Sequence, residues 1–112
     1  MKFISDEHKS NFNEFKIKIP QIKHGSKEYA VTAYVLSLPS LFEKSKQNFS
    51  EEGLSLEKIR EQDYLTGADY VFIDLAGNLF NNHNDFDLKN AIGTLDSKNF
   101  EIMLNAIDIM RN

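Results

Sequence analysis

The chain has 112 residues, 41% of them hydrophobic and nine of them Phe, enough for one domain, residues 1–112, with a core that needs no metal or disulfide. The absence of cysteine excludes disulfides and Cys-based zinc sites. No apolar run nears the roughly 18 residues of a membrane span, and acids by Asp6 and Glu7 argue against a signal peptide, so a cytoplasmic protein is expected.

Taken in chain order, Ser5 followed by Asp6 and Glu7 opens a first helix with acids at its positive end. Phe12, Phe15 and Ile19 form its buried stripe, although Phe15 to Ile19 also alternates like a strand; Pro20 ends either. Gly25-Ser26 supplies a break and an N-cap for a second helix over 27–38, with Tyr29, Ala30, Ala33, Tyr34 and Val35 on its apolar face. Pro39 suits the first position of a third helix, about 39–47. Residues 48–55 read as a polar, mobile loop around Gly53, and Ser55 caps a short turn over 56–62.

Thr66 with Asp69 forms a capping-box start, after which Ala68, Val71, Phe72, Leu75, Ala76 and Leu79 share one helical face. Ala76 and Gly77 leave room for a close neighbour. Residues 81–85 end that helix, and a turn over 88–92 is expected to stop at Gly93 in the C′ position. Asp96 then caps a final helix, with Leu95 and Phe100 spaced as a hydrophobic staple. From Phe100 to Met110 its apolar residues sweep about 220° of circumference, against roughly 100° upward for an ordinary surface helix. Such breadth predicts either the central helix of the domain or one partly covered by another chain. The fold expected is all-α: five or six short helices packed around the C-terminal helix.

Chemistry-bearing patterns are sparse. Tyr70, Asp74 and Asn78 line the polar side of the fourth strong helix, and Asn81 to Asp87 add His83, Asp85 and Asp87. Tyr70, Asp74, Asn78, His83, Asp85 and Asp87 are therefore the candidates for holding a small ligand or a divalent cation. Against this, the loop lacks the glycine and closing glutamate of an EF-hand, and Asn and Asp also serve simply as caps and turn residues. Asp74 and His83 meet only if the loop after Phe80 folds back. His8, His24 and His83 form no His-x-x-x-His pair, no Gly-x-Ser-x-Gly elbow is present, and no phosphate loop occurs. No cofactor, no resident metal and no enzymatic activity are expected.

The net charge of −4 is uneven: residues 1–60 carry ten Lys/Arg against eight Asp/Glu, and residues 61–112 carry three against nine. Lys16, Lys18, Lys23, Lys27 and His24 lack interleaved aromatics and read as a solvated face, so no nucleic acid is expected as a partner. The acidic second half suits a protein partner with a basic surface, or simply serves solubility.

Four stretches, Phe3-Ile4-Ser5-Asp6-Glu7-His8, Ala33-Tyr34-Val35-Leu36-Ser37, residues 74–81 (Asp-Leu-Ala-Gly-Asn-Leu-Phe-Asn) and residues 94–100 (Thr-Leu-Asp-Ser-Lys-Asn-Phe), resemble an uncharacterised family of small bacterial and prophage proteins. The resemblance implies a compact helical domain in a phage or mobile-element setting and supplies no catalytic residue. Together with the broad apolar arc it points to an interaction protein that binds an unknown protein partner or forms a homo-oligomer. Ile102, Ala106 and Ile109 are the expected contact residues if the last helix is not central.

Overall fold

In the computed structural model, which describes Met1 to Asn112, the chain is all-α except for one two-stranded hairpin. Helix α1 spans Asp6–Lys18, its first turn closed by the Ser5 hydroxyl accepting from the His8 N–H. The ambiguous run from Phe15 is helical as far as Lys18: Phe12, Phe15 and the following Ile19 are buried at spacings of three and four, while Ile17 faces solvent. Pro20 pushes Ile19 out of the helical region and starts the single turn α2, Pro20–Lys23.

Ser26 caps α3, Lys27–Leu36, through the Tyr29 N–H. Six consecutive residues, Val31 to Leu36, are buried, so α3 is enclosed on every side rather than along one face. It packs most extensively against α6, Gly67–Asn81, and next against α8, Ser97–Arg111. This corrects the expected centre of the domain: α3 occupies it, and α8 lies on its flank. The signal was present in the sequence, because no charge interrupts Tyr29 to Leu38.

After Leu38-Pro39 the chain makes the one-turn helix α4, Phe42–Ser45, shorter than the expected 39–47. The segment read as a mobile loop instead forms a hairpin of β1, Phe49–Ser50, and β2, Gly53–Leu54. Gly53, at φ +124°, makes the turn. The Glu51 carbonyl at its tip accepts from Gln21 Nε2 at 2.7 Å and from the Tyr29 hydroxyl at 3.2 Å. Helix α5, Leu56–Arg60, then leans on α6, with Leu56 over Gly77. A Cβ at position 77 would stand 2.6 Å from a Leu56 methyl.

The capping box at the start of α6 is complete: the Thr66 hydroxyl accepts from the Asp69 N–H, and the Asp69 carboxylate from the Thr66 N–H. Asn82 ends the helix in the left-handed conformation. Helix α7, Leu88–Thr94, runs through Gly93 instead of stopping before it, and Asp96 caps α8 at the Asn99 N–H. The count is eight helices rather than five or six, and the element with no expected counterpart is the single turn α2 after Pro20.

Residues 2–4 cross the outside of this bundle as a strap. Phe3 packs against His8, Phe12 and Tyr34 with ring centroids 5.1, 5.3 and 5.9 Å apart. The Tyr34 hydroxyl donates to the Lys2 carbonyl, and Asn105 of α8 donates to that hydroxyl. His8 is fully buried beneath the strap: its Nδ1 accepts from the Ile4 N–H, which leaves the proton on Nε2 to donate to the Tyr34 carbonyl at 2.8 Å.

Candidate functional site

Two surfaces answer to the sequence expectations. The first is the polar side of α6. Tyr70, Asp74 and Asn78 recur one turn apart along it, and α5 places Arg60 above them. The Arg60 guanidinium pairs with the Asp74 carboxylate and lies 5.9 Å from the centre of the Tyr70 ring. The same Arg60 nitrogen is 3.9 Å from an Asp85 oxygen, and that oxygen is 3.6 Å from His83 Nδ1. The loop after Phe80 does fold back: the His83 N–H donates to the Gly77 carbonyl, and Asn78 Nδ2 donates to the His83 carbonyl.

Five of the six ligand candidates, Tyr70, Asp74, Asn78, His83 and Asp85, are thus brought together. Asp87 is not among them, because its carboxylate accepts from the Asn90 N–H and caps α7. The grouping has a built-in counter-charge. Arg60 stands between Asp74 and Asp85, where a bound cation would otherwise be attracted, and no three His, Asp or Glu side chains converge as a cation site would require. Asn78 and Asp74 serve the loop and α5 respectively. The arrangement ties α5, α6 and the 81–87 loop into one corner; its chemistry is that of a clamp.

Arg60 escaped the sequence reading because nothing in local spacing pairs it with a residue fourteen positions on. A charge lying one turn into a short helix has no periodic signature.

The second surface is on α7 and α8. Ile102 is 2% exposed and Ala106 is completely enclosed, both covered by the chain's own core, so neither is free to meet a partner. That corrects two of the three expected contact residues; Ile109 is half-buried. The breadth of the apolar arc divides instead into an inner part around Ile102, Met103 and Ala106 and an outer part formed by Phe100, Leu104 and Ile107. The outer three lie within about 60° of one another at 100° per residue. Leu104 is 49% exposed, and Phe100 and Ile107 are half-buried beside it. On α7, Leu88 and Ile92, one turn apart, are 54% and 57% exposed, while Ala91 between them is buried. Glu101 and Asp108, both exposed, edge Leu104 at spacings of three and four.

No known family model, no characterised protein and no solved structure matches the chain. No helix is long and apolar enough to cross a membrane.

Proposed function

We propose that the chain is a small, non-catalytic interaction domain that works by binding a partner protein or a second copy of itself, in the cytoplasm and in a phage or mobile-element setting. One observation carries this reading. Leu104 is half exposed in the middle of a fifteen-residue helix whose inner side is already filled, with Phe100 and Ile107 on the same outer strip. A lone exposed leucine is ordinary. Three large apolar side chains at helical spacing make a strip whose burial would be favourable; Leu88 and Ile92 are separately exposed on the preceding helix.

Charge supports the same reading. The excess of acids over residues 61–112, with Glu101 and Asp108 edging the strip, favours a partner whose own apolar contact is bordered by Lys or Arg. The polar corner around Arg60 supports a structural role, since Arg60 is paired with Asp74 and Asn78 holds the loop at the His83 carbonyl.

Light scattering at micromolar concentration tests self-association: particles heavier than 12.9 kDa that revert to that mass with Leu104→Glu are expected for a homo-oligomer. For a protein partner, binding retained by the parent chain and lost with Leu104→Glu, at unchanged helicity, is expected. A strictly monomeric chain whose partner binding ignores both Leu104→Glu and Ile92→Glu would remove the proposal.

A further inference from the structure

Residues 2–4 are held to the bundle by few contacts. No backbone–backbone hydrogen bond reaches them, and their two polar ties both run to side chains. The Ile4 N–H donates to His8 Nδ1 at 3.2 Å, and the Lys2 carbonyl accepts from the Tyr34 hydroxyl. Phe3 adds one ring, set against His8, Phe12 and Tyr34, while Lys2 and Ile4 are exposed. Two grooves border the segment, one lined by Lys98 and Glu101, the other by Pro39 and Phe72; Ile4 and Ile102 line both. Phe12 and Tyr34, against which Phe3 packs, are 5% and 0% exposed.

His8 secures this attachment only while its ring is neutral. It accepts at Nδ1 and donates at Nε2 to the Tyr34 carbonyl, 2.8 Å away. A proton can enter only at Nδ1, which then turns one donor toward another, the Ile4 N–H. Nothing in the surroundings compensates, because His8 makes no ion pair. The ionisable groups around it are Tyr34 of α3, Lys2 of the strap, Lys98 and Glu101 of α8, and Asp6, Glu7 and Lys9 on α1 itself. None of their side chains bonds to the ring. A fully enclosed imidazolium with one carbonyl and no anion is costly, and burial already holds the His8 pKa below its ordinary value. The least costly escape is to lift the short segment off the ring, since it has two hydrogen bonds to lose and the helices keep theirs. We propose that residues 2–4 are an acid-released strap: protonation of His8 detaches them from α1 and α3, baring Phe12 and Tyr34 while the helices stay packed. The outer strip around Leu104 takes no part, so this device and the interaction reading stand or fall separately.

The test is a titration of isotope-labelled protein from about pH 7.5 to about pH 4.5, following the His8 and Phe3 rings and the Ile4 and Val31–Leu36 amides together. As His8 takes up its proton, the Phe3 and Ile4 resonances are expected to move to positions of unstructured chain. The ratio of released to bound strap should rise up to tenfold per pH unit below about pH 6.5. Val31 to Leu36 are expected to hold their positions throughout. His8→Gln has no titrating ring, so its Phe3 and Ile4 resonances should ignore this pH range; that variant separates His8 from the carboxylates. Tyr34→Phe keeps His8 but loses the tie at the Lys2 carbonyl, and its released-to-bound ratio at a given pH should rise about fivefold. The proposal is overturned if Phe3 and Ile4 stay in place down to about pH 4.5, or if they and Val31–Leu36 change together. It is equally overturned if His8→Gln releases the strap with the parent's pH dependence, or if Tyr34→Phe leaves the midpoint unmoved.

Discussion

His8 is enclosed by Phe3, Tyr34 and the strap, and both of its ring nitrogens are already bonded. Burial pushes its pKa below the ordinary value, against the smaller raising effect of the bond to the Tyr34 carbonyl. Protonation would place a hydrogen on Nδ1, facing the Ile4 N–H, so the folded state holds the neutral ring. The unfolded chain binds the proton more readily, near pH 6.5, and stability therefore rises with pH across this window. Denaturant unfolding is expected to show a stability contribution from His8 that is full above about pH 6.5 and declines below it. His8→Ala should flatten that dependence and cost about 2–4 kcal/mol at pH 7.5 through the cavity and the lost bonds. The sequence marked His8 only as a helix residue beside Glu7. What decides its role, the strap and Tyr34 twenty-six positions away, carries no local pattern.

Helix starts were far more legible than helix ends. Ser5, Ser26, Thr66 and Asp96 each cap the helix assigned to them, because a cap is a contact between residues three apart. Gly93 and the 48–55 segment misled: Gly93 continues α7, and a pair of two-residue strands is too short to alternate visibly. The ligand candidates on α6 were recognised as a stripe, yet their meaning depends on Arg60, which reaches them only across the α5–α6 corner. With the Arg60 and Asp74 side chains 34% and 16% exposed, Arg60→Ala is expected to cost about 1 kcal/mol or less. A double-mutant cycle with Asp74→Ala should return a coupling of about 0.5–1 kcal/mol, measured by urea unfolding. A coupling near zero would mean that the pair is solvated in solution.

Across the whole molecule, all-α architecture was readable from periodicity, but the rank order of the helices was not. The broad arc of α8 drew attention to the wrong centre, since the same arc serves a flanking helix whose outer strip stays wet. Two substitutions on α8 separate its sides: Ile102→Ala should destabilise by about 2–5 kcal/mol, and Leu104→Ala by about 0.5 kcal/mol or less, both read from chemical denaturation. Because α3 is covered by α6 and α8 together, its peptide groups reach water only when those neighbours detach. Deuterium uptake should therefore be slowest from Val31 to Leu36, matching global opening, while Leu88 to Thr94 exchanges through smaller, local excursions. A chain built around one sheathed helix has no half that can come apart quietly, so loosening of α6 would be felt at once by the strap, whose Ile4 shares a groove with Ala68, Asp69 and Phe72 of that helix.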